Sequence, residues 1–125
     1  ERAELKEKTE MNGLYLIPLV APTSHDRIKK IVTGTKGFVY CVSSTGTTGE
    51  RTSFRADLTE YLNTVKSNTE VPICIGFGIS SREAVEKLKG YCDGVIVGSA
   101  VVRRLHEDRK EAFKFVEGLR EELDK

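Results

Sequence analysis

Three glycine-rich segments, Thr45-Gly46-Thr47-Thr48-Gly49, Gly76-Phe77-Gly78-Ile79-Ser80 and Gly98-Ser99-Ala100, accompany the ends of the apolar runs 38–43, 72–77 and 94–97. Turns of this kind at the carboxyl ends of buried strands gather backbone N–H groups and a hydroxyl at one place. A phosphate monoester carries nearly two negative charges and several acceptor oxygens, and closely approaching glycine backbone holds it with the least obstruction. Gly49, Gly78, Gly98 and Ser99 meet that requirement. A helical turn opening at Gly98-Ser99 aims its positive end at the anion, and the Ser99 hydroxyl adds a donor. Any one of these turns alone is explained by what a strand exit requires; three in sequence point to a phosphate-bearing small molecule.

The elements that must position these turns are legible in the periodicity. Runs 14–20, 38–43, 72–77 and 94–97 are short and continuously apolar, the pattern of parallel strands buried on both faces. Between and after them, helical spacing recurs: Ile28, Ile31 and Val32; Leu58, Tyr61, Leu62 and Val65; Ala84, Val85 and Leu88; Ala112, Val116, Leu119 and Leu123. Capping residues stand ahead of these stretches at residues 23–26, at Asp57 and at Ser80-Ser81. Four strand–helix units with right-handed crossovers make either an open doubly wound sheet or half of an eight-stranded (β/α) barrel of TIM type, and periodicity leaves both open. The polar connection from Ser44 to Ala56 is long enough to act as a lid that moves on ligand binding.

Bulk properties narrow the classes of partner. A chain of this length forms a single domain over residues 1–125, and 38% apolar content supports a core. Twenty basic residues against nineteen acidic ones give a formal charge of +1, no field for nucleic acid or an anionic membrane. No run reaches the roughly twenty apolar residues of a membrane span, and the first residues have no signal-peptide pattern, so a cytoplasmic location is expected. Cys41, Cys74 and Cys92 lack metal-ligand and CxxC spacing and are expected as packing thiols; neither a metal nor a cofactor is expected. The chain opens on Glu1 in a helix-like segment running to Met11, so further sequence is expected upstream.

From Pro18 to Val102 the chain resembles the C-terminal half of the tryptophan synthase alpha subunit family. The resemblance rests on Leu19-Val20-Ala21-Pro22-Thr23, on residues 37–43 leading into 45–49, on Gly76-Phe77-Gly78-Ile79-Ser80 and on residues 93–100, in that order. It implies that the four strands are the fifth to eighth of an α/β barrel that cleaves indole-3-glycerol phosphate to indole and glyceraldehyde 3-phosphate. It further implies that Gly49, Gly78, Gly98 and Ser99 bind the substrate phosphate, with Thr48 in a closing loop. Tyr40 and Phe77 then line the pocket, and Leu19 completes its apolar wall. The family's two catalytic carboxylates belong to the preceding half of the barrel, so no catalytic residue is expected in this chain.

Glu50 reads as a loop residue and Asp57 as a helix cap, while Asp93, ahead of its strand, belongs to the opposite face. His25 and His106 read as surface residues, and Arg51, Arg55, Arg103 and Arg104 as solvated ones. The resemblance implies a pyridoxal-phosphate-dependent beta subunit as partner. The unpaired strand edges call for the missing N-terminal half or, as an alternative, a second copy in a self-associating half-barrel that binds sugar phosphates without catalysis.

Overall fold

The computed structural model describes residues 1–43 and 53–125, with side chains from residue 58 onward in the second stretch. Four parallel strands lie in sequential order: β1 (Leu19–Val20), β2 (Val39–Val42), β3 (Ile73–Gly76) and β4 (Gly94–Val95). Helix α1 (Arg2–Met11) precedes the sheet. A 3₁₀ segment (Pro22–Arg27) and α2 (Ile28–Val32) follow β1, α3 (Ser53–Ser67) follows β2 and α4 (Arg82–Leu88) follows β3. Helices α5 (Ser99–Glu107) and α6 (Arg109–Asp124) follow β4.

The register separates two faces. Leu19 pairs with Tyr40, Tyr40 with Cys74 and Cys74 with Gly94; the next row is Val20, Cys41, Ile75 and Val95. Because side chains alternate along a strand, these rows point opposite ways, and their burial differs accordingly. Val20, Cys41 and Ile75 are fully buried with Val39 and Ile73, against Ile28, Val32, Leu62, Val65 and Val85 of the helices. Leu19 is exposed and Tyr40 and Cys74 are half-buried, so the other face is open. The Tyr61 hydroxyl donates to the Val20 carbonyl at 2.9 Å, tying α3 to the edge strand inside the core.

The strands are shorter than the apolar runs, for local reasons. Only Leu19 and Val20 of residues 14–20 pair, although the Pro18 carbonyl accepts from Tyr40 N–H at 3.0 Å. Pro72 has no N–H to give, so β3 starts at Ile73, and a positive φ of 72° ends it at Phe77. β4 covers two of residues 94–97, with Ile96 N–H still reaching the Ile75 carbonyl at 2.7 Å.

The expected caps divide. Ser81 caps α4, its hydroxyl accepting from Ala84 N–H at 3.2 Å. Asp57 is not a cap: α3 begins at Ser53 and encloses it, so the long connection also ends before Ala56, its last turn having been wound into helix. In the 23–26 segment Ser24 accepts from Ala21 N–H at 3.1 Å within the 3₁₀ turn, while α2 starts without a side-chain cap. After β4 the chain forms two helices, the 112–123 stripe belonging to the second.

Helix α1 buries no residue. Its attachment is polar: Arg2 donates to the Ile31 carbonyl at 2.6 Å and Lys6 to the Gly34 carbonyl at 2.9 Å, placing cations at the carboxyl end of α2, where the helix dipole favours them. At the amino end of the sheet, Asp93 clamps β3, accepting from Ile73 N–H through its carboxylate and donating its own N–H to the Ile73 carbonyl, both at 2.9 Å. That places Asp93 at the end of the sheet opposite the glycine turns. Both histidines are exposed. Among the described residues no helix is long and apolar enough to cross a membrane.

Candidate functional site

The carboxyl ends of β2, β3 and β4 converge on a pocket of about 380 Å³. Tyr40 forms one wall and Phe77, Gly78 and Ser80 another, with Gly98, Ser99 and Arg103 closing it from the start of α5. Each wall has a local cause. After β3 the chain takes two consecutive left-handed residues, Phe77 (φ 72°) and Gly78 (φ 74°). Glycine adopts this freely, whereas Phe pays on the order of 1 kcal/mol. The strained residue is held from the neighbouring strand: Ser43 donates its N–H to the Gly76 carbonyl at 3.0 Å and its hydroxyl to the Phe77 carbonyl. The Phe77 ring is thereby left 61% exposed at the pocket, edge-on to Tyr40 with centroids 6.3 Å apart.

On the opposite side Gly98 is the N-cap of α5, and its carbonyl accepts from Val101 and Val102 N–H at 3.0 and 3.1 Å. The Ser99 and Ala100 N–H groups therefore precede the first intrahelical bond and face outward with the positive end of the dipole. A Cβ built on either Gly78 or Gly98 meets nothing within 4 Å, so both glycines border open space. Gly76 contrasts with them. A Cβ there would stand 2.1 Å from the Tyr40 hydroxyl oxygen and 2.5 Å from Cζ, so the bare backbone at 76 is what lets the Tyr40 ring lie across β3.

Of the residues expected in the site, Gly78, Gly98, Ser99, Tyr40 and Phe77 share this one pocket. Leu19 stands opposite Tyr40 on β1, exposed, and does not line it. Thr48, Gly49 and Glu50 lie outside the described residues. Sequence reasoning passed over Ser80 as a wall residue and set Arg103 aside; the usable signal for Arg103 was its position one helical turn beyond Ser99. A larger cavity of about 570 Å³ opens between α3 and α4, lined by Leu58, Leu62, Ala84 and Leu88 with Phe77 and Gly78. It includes neither Ser99 nor Gly98; the first turn of α4 borders it, but there Ser81 already caps the helix by accepting from Ala84 N–H, and Glu83 adds a negative charge.

The cysteines offer no nucleophile. Burial pushes the Cys41 thiol up to about 12 and that of Cys92 to about 11, and Cys74 is raised by the same cause. All three are free thiols, protonated at neutral pH. Among the described residues no group of His, Cys, Asp or Glu side chains is gathered to hold a metal ion.

Parallel strands in chain order, helices against one face, and a pocket at the strands' carboxyl ends define half of a TIM-type α/β barrel. Comparison with known proteins carries this further. The family described as "Tryptophan synthase alpha chain" matches residues 1–125, and the chain belongs to that family. The tryptophan synthase alpha chain of Clostridium beijerinckii is 54% identical over 123 residues, which are 98% of this chain and 48% of that protein. The alpha chain of a Thermoanaerobacter species is 50% identical over 129 residues, 98% of this chain and 49% of its own length. Among solved structures, tryptophan synthase subunit alpha from Campylobacter jejuni superposes with a TM-score of 0.83 at 33% identity, covering 94% of this chain and 48% of that one. A Mycobacterium tuberculosis tryptophan synthase structure gives 0.82 at 33% identity, covering 98% and 47%. The chain spans about half the length of the curated relatives it matches.

Proposed function

We propose that this chain forms the phosphate-binding half of a tryptophan synthase alpha subunit, the lyase that cleaves indole-3-glycerol phosphate to indole and glyceraldehyde 3-phosphate. The observation that carries the reading is the convergence of Gly78, Gly98 and Ser99 on one pocket, in a chain matched end to end by that family. The Ser99 and Ala100 N–H groups and the Ser99 hydroxyl hold the phosphate, and Gly78 lets its oxygens approach β3 without a Cβ in the way. Gly49, with Thr48 in a loop that closes over the ligand, adds a further contact. Tyr40 and Phe77 bound the glycerol and indole portions, and Leu19, outside the lining of this pocket but beside Tyr40 on the same open row, continues the apolar surface beyond it.

Cleavage breaks the bond between the indole ring carbon and the glycerol chain. A proton must reach that ring carbon while a base takes the proton of the glycerol hydroxyl. The family's Glu and Asp that do this sit in the half of the barrel preceding the one this chain resembles, so this half binds and orients while the other cleaves. Alone, it is inactive. Co-expression with a separate first-half polypeptide restores indole release; well-folded, associated halves that stay inactive overturn the reading. The beta subunit is the partner that receives indole, and without the loops of the other half this chain binds it only weakly.

A second reading, a half-barrel that closes on a second copy of itself and holds sugar phosphates, is favoured by the open face and by apolar groups on both flanks. Leu14, Tyr15 and Leu19 are exposed beside β1, and Val102, Leu105, Phe113 and Val116 on the helices after β4. Two copies supply eight strands. A dimer that persists at micromolar concentration supports it, and a stable monomer excludes it.

A further inference from the structure

We propose that Arg103 is a phosphate-binding residue of this pocket, supplying the positive charge that the backbone cradle lacks; the proposal rests on the phosphate reading of the site given above. Two successive arginines on α5 have different surroundings. Arg104 is committed: it donates to the Ala100 carbonyl at 2.9 Å, and its guanidinium lies 3.6 Å over the Phe115 ring. Arg103 is exposed and lines the pocket, and among the described residues neither a carboxylate nor a carbonyl engages its guanidinium.

Its direction follows from helix geometry. A helical side chain leans toward the amino end and covers the turn before its own Cα. From position 103 that turn begins at Ser99, where the unbonded N–H groups are. The pocket thus receives a helix start, a hydroxyl and one uncommitted guanidinium from a single helix face.

The chemistry recognised is a phosphate monoester in its dianionic form. Backbone N–H groups and helix dipoles contribute fractional charge, whereas a guanidinium brings a full charge with paired donors matched to phosphate oxygens. An exposed contact of this kind is modest and screened by salt, the screening length falling from about 8 Å at physiological ionic strength to about 3 Å at 1 M.

The test is calorimetric titration of glycerol 3-phosphate into the full chain at low and high salt. Arg103→Gln should weaken binding about two- to fivefold at low salt, with the difference vanishing at high salt. Arg103→Glu should weaken it about tenfold or more. Arg109→Glu, the same charge change on an exposed residue of α6 beside Phe113, controls for overall charge. Unchanged affinity in Arg103→Gln, or an equal loss in Arg109→Glu, overturns the proposal. Gly98→Asp separates it from the reading beneath: the substitution enters open space, so the fold is kept while a carboxylate meets the anion. If Gly98→Asp still binds glycerol 3-phosphate as the parent does, the phosphate pocket itself is wrong. If Gly98→Asp abolishes binding and Arg103→Gln changes nothing, only the role of Arg103 fails.

Discussion

Replacing Gly76 by alanine tests how the Tyr40 ring is seated. The added Cβ would sit 2.1 Å from the Tyr40 hydroxyl oxygen, 2.5 Å from Cζ and 2.8 Å from Cε1, against an ordinary contact of 3.4–4 Å. Either the ring swings off β3 or the strands part. Gly76 is buried, and its carbonyl accepts from Ser43 N–H, so strand separation also weakens the β2–β3 ladder. Overpacking of this kind costs about 1–3 kcal/mol. The reduced chain entropy of alanine in the unfolded state returns about 0.4–1 kcal/mol. The net expectation is a loss of about 1–2 kcal/mol, read by urea denaturation with an unchanged m-value. Tyr40→Phe removes the closest atom but leaves the ring carbons, so it relieves the clash in part. Tyr40→Ala removes the clash altogether, and in that background Gly76→Ala becomes neutral or slightly stabilising. The double-mutant coupling is about 1–3 kcal/mol. A Gly76→Ala variant as stable as the parent, or equally destabilised with and without the Tyr40 ring, would refute the packing argument.

Two further perturbations probe the supports of the site. Tyr61→Phe leaves the buried Val20 carbonyl without its 2.9 Å donor and should lower stability by about 1–2 kcal/mol, measured by denaturant midpoint; no change would mean that α3 is not tied to β1 by this bond. Glu122 accepts from Lys89 at 3.0 Å and from Lys125 at 3.1 Å, and these bonds hold its carboxyl below the ordinary glutamate range. A depressed folded-state value means that the unfolded chain takes up the proton first, so the contribution is present above the ordinary range and is lost as pH falls through it. Thermal melts from pH 7 to pH 3 should show a shallower acid decline for Glu122→Gln; the decline is not abolished, because Asp124, lowered by Arg120, acts in the same direction. Parallel acid limbs would remove Glu122 from the account.

Element identity was legible because the apolar runs of a sheet buried against helices look unlike the spaced stripes of those helices. The ends were less so. Asp57 carries a capping side chain, but the winding of α3 starts at Ser53, and no residue type at 53–56 forbids helix. The choice between open sheet and half-barrel was illegible to periodicity, since both place the same βα units side by side, and the resemblance of ordered motifs supplied what spacing did not. The open face was hidden for a related reason. Tyr40 and Cys74 stand in the same apolar runs as Val39 and Ile73, and only the register shows which row the helices cover.

The site was most legible where one residue suffices and least where two must meet. Gly78 is a glycine because its φ is 74°, a property of one position that sequence can announce. Phe77 shares that conformation without being glycine, and nothing at position 77 says so. The cause lies on another strand, where Ser43 donates through N–H and hydroxyl to two successive carbonyls of the β3 exit. Gly76 is likewise explained by Tyr40, thirty-six positions earlier, whose ring occupies the space a Cβ would need. The glycines of one motif therefore do different work: Gly76 admits an aromatic ring from inside the protein, whereas Gly78 and Gly98 keep open the space where a ligand enters. Substitutions at 76 should accordingly register in stability and those at 98 in binding, a division that composition alone gives no reason to expect.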